Sequence, residues 1–157
     1  MSTLTKAIHE LDRLAKLQGI KNVFQPGMAR ELLIAEALGH TVHSPKHGHD
    51  AVTAEGEVCE YLTAYSGSQI QLDRMFKTPE EKRQKSLLRI SRYDRIYAVF
   101  FKRDTLVIDS IFLLDPATVL SEAIRLLDGS KNDISHIAFS TTFILSVGQS
   151  VKFGDSV

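Results

Sequence analysis

Asp50 and Glu60 are the two residues whose type and spacing point most directly to chemistry. Nine residues, "AVTAEGEVC", separate them, and Glu55-Gly56 near the centre of that stretch is a turn signal between short apolar runs. A turn over Ala54 to Glu57 makes the flanking segments antiparallel neighbours, so Asp50 approaches Glu60 across the ladder. Carboxylates held side by side repel unless a cation lies between them. A hard divalent ion such as Mg²⁺, bound by one or two carboxylates together with waters and phosphate oxygens, is the matching partner. Such an ion polarises a phosphodiester and supplies a hydroxide-like nucleophile. Strand alternation puts residue 62 on the face of Glu60. A lysine there would touch the attacking water and stabilise the developing negative charge, but the chain has Leu62, which does neither. On these residues alone a plainer alternative stays open, in which Asp50 caps a turn and Glu60 is a solvated strand residue.

Other groups carry weaker signals. His43, His47 and His49 crowd the approach to Asp50 and suggest zinc, yet their spacing is that of no known finger. Cys59, the single cysteine, lies in an apolar run and reads as a buried, inert thiol; alone it gives neither a disulfide nor a cysteine-based zinc site. Glu31 and Glu36 fall on a predicted helix, where most acids only solubilise. From Arg74 to Arg95 the basic residues (Arg74, Lys77, Lys82, Arg83, Lys85, Arg89, Arg92 and Arg95) outnumber the acidic ones. That run fits a solvated helix face and phosphate contact equally well.

The elements that must position these groups follow from pattern. Residues 3 to 18 place Leu4, Ile8, Leu11, Leu14, Ala15 and Leu17 on one helical face, with Gly19 as a stop. That stripe would serve a core or a second subunit. A turn at Pro26-Gly27 leads into a helix that ends near Leu38, before Gly39. The hairpin of Asp50 and Glu60 follows, and the chain leaves the sheet through Ser66-Gly67-Ser68. Thr78 reads as an N-cap with Pro79 first in the helix and Glu81 completing the box. "IYAVFFKRDTLVIDSIFLL" is two strands joined at Lys102 to Thr105. Asp115 caps a helix that Gly129 stops, and the tail "AFSTTFILSVGQSVKF" reads as a strand, a turn at Gly148 and a final strand. The expected class is α/β (α+β): a central mixed sheet flanked by helices, in one domain over residues 1 to 157.

Nineteen basic residues against nineteen acidic ones leave no net charge, which argues against an unselective nucleic-acid coat but not against a local DNA-gripping patch. No apolar run reaches membrane-span length and no leader pattern opens the chain, so the cytoplasm is the expected compartment.

A longer similarity joins these parts. "LQGIKNVFQ", "ALGHTVHSPKHGHDAVTAEG", "EYLTAY", "ISRYDRIYAVFFKRDTLVIDSIFLLDP" and "KNDISHIAF" resemble, in order and spacing, the type II restriction endonucleases of the PD-(D/E)xK superfamily, and within it those of the PvuII type. The agreement breaks only at a longer segment around residues 77 to 88. The resemblance implies a restriction-endonuclease-like fold and a homodimer that clamps double-stranded DNA and cuts both strands with Mg²⁺. The helix over about 3 to 18 is then a candidate for the dimer interface. Asp50 and Glu60 match the motif acids and would hold the metal, with the Cys59 backbone carbonyl as a further donor. Leu62 falls where the motif lysine belongs, which implies an inactivated or impaired nuclease, or a catalytically dead DNA-binding protein of the same fold. A lysine that has migrated, from Lys46 or Lys77, is the competing account. The similar enzymes also imply DNA contact from the loop carrying Lys46, His47 and His49. Candidates for base reading are Lys77, Arg83, Gln84, Lys85, Ser135, His136, Ser140, Thr141 and Thr142. An interaction protein whose acidic hairpin does no chemistry is the third reading.

Overall fold

The computed structural model describes residues 1–43 and 48–154. Ser2 opens the first helix, α1 (Thr3–Leu17), its hydroxyl accepting the Thr5 amide at 3.2 Å. Ala15 is the one residue of α1 that is buried. Leu4, Ile8, Leu11, Leu14 and Leu17, the predicted apolar face, remain 43–72% exposed. Among the described residues none of them belongs to a core cluster. The second helix, α2 (Met28–Leu38), ends at Gly39 as expected, with that glycine in the left-handed region at φ 69°.

Six strands form the main sheet: β1 (Thr41–Val42), β2 (Ala51–Val52), β3 (Val58–Tyr65), β5 (Arg95–Phe101), β6 (Ile108–Leu114) and β8 (Gln149–Ser150), in the order β1-β2-β3-β5-β6-β8. Within it β3 and β5 pair in parallel, and the other neighbours are antiparallel. The sheet is therefore mixed. Its centre, β5, is buried from Ile96 to Phe101, which explains the unbroken apolar run in the sequence. A second, two-stranded sheet pairs β4 (Ile70–Phe76) with β7 (Ile134–Phe139). The chain thus leaves the main sheet at Ser66-Gly67-Ser68 and at once enters another strand.

Alternation along β3 divides the core. Leu62 and Ala64 face one cluster with Ile96, Ala98 and Phe100, covered by α3 (Glu80–Ser91), α4 (Pro116–Gly129) and α5 (Thr141–Val147). Cys59 and Tyr61 face the other, with Val99, Phe101 and the Ile34-Ala35 step of α2. The fold is an α+β arrangement of helices around a mixed sheet, as the sequence pattern leads one to expect.

Three local expectations are corrected. Pro79, not Thr78, occupies the N-cap of α3, and no side chain caps that helix, because it begins one residue later than the Thr-Pro signal implied. Gly129 is the last helical residue of α4 rather than its stop; Ser130 follows as C-cap. Residues 141–147 form a helix instead of a strand. The Ser140 hydroxyl accepts the Phe143 amide at 3.1 Å, and that cap together with burial of Ile144 outweighs the β-propensity of Thr141, Thr142 and Ile144. Asp115 does cap α4, accepting from the Thr118 amide at 2.9 Å.

Candidate active site

The hairpin forms as the Glu-Gly turn requires. Gly56 takes φ 87°, the Thr53 amide donates to the Glu57 carbonyl at 3.0 Å, and Ala51 pairs with Cys59 and Val52 with Val58. One further step along that register sets Asp50 opposite Glu60, and the Asp50 amide donates to the Cys59 carbonyl at 3.0 Å. The Asp50 carboxylate is also fixed, because its Oδ2 accepts the Tyr61 amide at 2.7 Å.

Both acids are half-buried and each bears on the other. Burial, and then the charge of Asp50, pushes Glu60 up to about 8. Burial likewise raises Asp50, against the opposing pull of the Tyr61 amide and of Arg92. Glu31, in the first turn of α2, is pushed up to about 7 by burial and by Asp50. A third acid thus reaches the neighbourhood from the opposite side of the sheet, while Glu36 stays exposed. Sites that hold metal commonly look like this when their carboxylates lack a cation.

A clamp secures Glu60. The buried Tyr93 hydroxyl donates to the Gly48 carbonyl at 3.4 Å, two residues before Asp50, and sits close enough to Glu60 to favour its charged form. Arg92 donates to that carbonyl at 3.0 Å and to the Tyr93 hydroxyl at 2.7 Å. The two acids are therefore tied both through the ladder and through this bridge. Tyr93 had no local signature in the sequence, and Arg92 appeared there only as one charge in a basic run. A contact made by docking the end of a helix against a strand leaves no periodic trace.

Leu62 shares the face of Glu60 and is 7% exposed, packed in the core cluster beside Ala64 and Ile96. A cleft of ≈230 Å³ opens in front of both residues. Of the two lysines considered as substitutes, Lys77 is engaged elsewhere, donating to the Asp128 carbonyl at 2.9 Å and the Ser130 carbonyl at 2.8 Å. Lys46 lies outside the described residues, as does His47.

Among the remaining candidates, His49 stacks on His43 with ring centroids 3.9 Å apart, next to Asp50. Among the described residues no group of three or more histidine, cysteine, aspartate or glutamate side chains could hold a metal ion. Cys59 is fully buried, and burial lifts its thiol to about 11, the behaviour of an inert core cysteine. Arg83 pairs with Asp128 at 2.8 Å and Gln84 bonds Glu80 at 2.5 Å, both on or beside α3. Lys85 lines a shallow basic depression with Arg74, Lys82 and Arg89. Ser135 bonds Ser130, His136 is exposed opposite Arg74 on the small sheet, and Thr141 reaches the Ser68 carbonyl at 3.4 Å. Ser140 is spent on its capping role, and Thr142 is exposed. These residues lie on α3, the small sheet and α5, away from the β2–β3 hairpin.

The family described as restriction endonuclease PvuII matches residues 1–149 of the chain. No curated protein matches it.

Proposed function

Because the chain belongs to the PvuII restriction endonuclease family, we propose that it is a site-specific double-stranded DNA endonuclease in which Asp50 and Glu60 hold Mg²⁺ and Leu62 impairs turnover. The observation that carries this reading is the pair of half-buried carboxylates facing each other across β2 and β3, with Glu60 raised to about 8. The donors fit the ion: all are hard oxygens, and the second lone pair of the Cys59 carbonyl adds a third after the bond from Asp50. When bound, Mg²⁺ polarises the phosphodiester and acidifies a coordinated water.

The chain's own residues do the rest. The Tyr61 amide occupies one oxygen of Asp50, which leaves the other oxygen to the cation. Tyr93 and Arg92 hold Glu60 against the Gly48 loop, which fixes the separation of the acids before DNA arrives. The basic depression of Arg74, Lys82 and Lys85 supplies positive charge for the DNA backbone, and His49, next to Asp50, adds a further contact to the duplex. The exposed apolar face of α1 fits a homodimer in which two such sites address the two strands. The cytoplasm is the compartment proposed for it; among the described residues no helix is long and apolar enough to cross a membrane.

A specific observation favours a second reading, a DNA-binding protein of this fold that does not cut. Leu62 is built into the core rather than left as a gap, so the position has settled as an apolar one. Cleavage of phage DNA with Mg²⁺, compared between the chain and its Leu62→Lys variant, separates the two. The endonuclease reading expects slow cutting by the chain and faster cutting by the variant. Salt-sensitive DNA binding with no cutting by either supports the silent binder, and no DNA binding at all removes both.

A further inference from the structure

The cleft in front of Glu60 and Leu62 is lined from β3, β4, α3, β5 and α4, with Gln71, Ser86 and Arg89 among its walls and Tyr93 from the segment between α3 and β5. Arg89 is the one basic side chain among its described walls. It stands three residues before Arg92, so the two arginines project from the same side of the helix end, about one turn apart. Arg92 is held on the Gly48 side, near Asp50. Arg89 borders the space beside Leu62 itself.

We infer that Arg89 is the phosphate-facing cation of this site, reaching from α3 across the cleft into the region that a lysine at 62 would occupy. The inference rests on the endonuclease reading and deepens it. Three observations carry it besides the cleft. Position 62, where the strand would supply a cation, supplies none. Leu62 and Ile96 make the floor of the cleft apolar, which strengthens any charge interaction above it. Arg89 and Glu60 line the same cleft, and the positive charge of Arg89 favours the ionised form of the Glu60 carboxyl.

A guanidinium there differs from an ammonium in a chemically definite way. Its planar fork meets two phosphate oxygens at once. It keeps its proton throughout, so it stabilises charge and takes no part in proton transfer. In hydrolysis a water oxygen bonds to phosphorus and the bond from phosphorus to one ester oxygen breaks. The water's proton passes to solvent, and the departing ester oxygen takes up a proton to leave as an alcohol. Arg89 neutralises the charge that gathers on the non-bridging oxygens during that exchange.

Two readouts on the full chain test this. One is the salt dependence of binding to sheared phage DNA with Ca²⁺ in place of Mg²⁺; the other is cleavage of phage DNA with Mg²⁺. The variants are Arg89→Ala, Arg89→Lys, Leu62→Lys and the double Arg89→Ala/Leu62→Lys, with the solvent-exposed Arg125→Ala on α4, outside the cleft lining, as control. For Arg89→Ala the salt slope should be shallower by about 0.9 per chain, because one phosphate fewer is neutralised. Its cleavage should fall by about a hundredfold. Arg89→Lys keeps the slope and recovers only part of the rate, Leu62→Lys restores cutting in the double variant, and Arg125→Ala changes neither readout. Equal slopes and equal rates for the chain and Arg89→Ala overturn the inference. So does a chain that never cuts beside a Leu62→Lys variant that does, an outcome that leaves the endonuclease reading standing. If neither protein binds or cuts DNA, the endonuclease reading itself fails and this inference with it.

Discussion

The Tyr61 backbone amide donates to Asp50 Oδ2 at 2.7 Å, so a carboxylate beside a second carboxylate is held in place by the strand that carries the second one. An amide oxygen can accept the same hydrogen bond. Asp50→Asn therefore keeps the geometry and removes only the charge. Glu60 then loses the negative charge that adds to the effect of its burial, and moves down from about 8 while burial still holds it above the ordinary carboxylate range. At pH 8 the metal-free variant should be more stable than the parent by about 1 kcal/mol, the equivalent of a pKa change of about one unit. It should also bind Ca²⁺ or Mg²⁺ at least ~10-fold more weakly, because one of two anionic ligands is gone. Urea denaturation and calorimetric titration read the two effects. A variant that is less stable and binds metal normally would show that Asp50 is a structural cap.

Glu60 gives the metal-free protein a pH dependence of known sign. Its carboxyl titrates at about 8 in the folded chain against an ordinary 4.5, and Glu31 at about 7 against 4.5. Between those values the folded protein keeps protons that the unfolded chain has released. Unfolding then releases protons, and stability falls as pH rises from about 4.5 to about 8, with no further loss from this source above it. His40 and His49, held below the ordinary imidazole value of 6.5 by burial, oppose the trend up to about that pH. Glu10, Asp115 and Glu122, held below their ordinary range, oppose it at the acid edge, so the fall is clearest above pH 6.5. Melting followed from pH 5 to 9 should show a decline of several degrees without metal. Millimolar Ca²⁺ should cancel most of it, and should raise the melting temperature more at pH 8 than at pH 6 because binding needs both carboxylates ionised. A flat profile would mean that Glu60 is solvated.

Tyr93 offers a separate handle, since it touches Glu60 without being a ligand. Removing its hydroxyl leaves Glu60 with burial and Asp50 acting on it and one donor fewer. Tyr93→Phe should push Glu60 higher still, weaken metal binding severalfold at pH 7, and lose less at pH 9, where the carboxyl is ionised in either protein. The ring stays packed, so the fold should survive with a cost of ~1 kcal/mol. A loss of affinity that is the same at both pH values would point to a displaced loop rather than to Glu60.

Much of this arrangement was legible because it is local. Gly39 and Asp115 end and begin helices through contacts within a few residues, and the Glu-Gly turn fixes which acid faces which. Residues 141–147 were misread because Thr, Thr and Ile favour strands while the deciding features were one Ser140 hydroxyl and the burial of Ile144. The small β4–β7 sheet was missed because "IQLDRMF" lacks clean alternation and pairs with a strand almost sixty residues away. Within the candidate site, Asp50, Glu60 and the apolar residue at position 62 could be read from one hairpin. Arg89, Arg92 and Tyr93 meet it only through the docking of α3 on the sheet, a contact between segments some thirty residues apart that no spacing rule encodes.

The apolar face of α1 leads to the prediction about assembly. Leu4, Ile8, Leu11, Leu14 and Leu17 recur every three or four residues, and 43–72% of each is open to water. The helix is capped by Ser2, carries ion pairs from Glu10 to Arg13 and Asp12 to Lys16, and docks through Ala15 on the cluster of Ile20, Val23 and Met28 rather than through that face. A row of large apolar side chains on a capped helix marks a surface that another protein covers. With a second copy as the partner, Leu11→Glu/Leu14→Glu sets like charges against each other across the two-fold axis. Sedimentation should show the parent as a dimer at micromolar concentration and the variant as a monomer. Because Leu11 and Leu14 are not in this chain's core, the monomer should keep its fold by circular dichroism, lose cooperative two-strand engagement, and bind DNA at least ~10-fold more weakly. A parent that sediments as a monomer at that concentration, or a variant that stays dimeric, would mean that α1 serves some other surface.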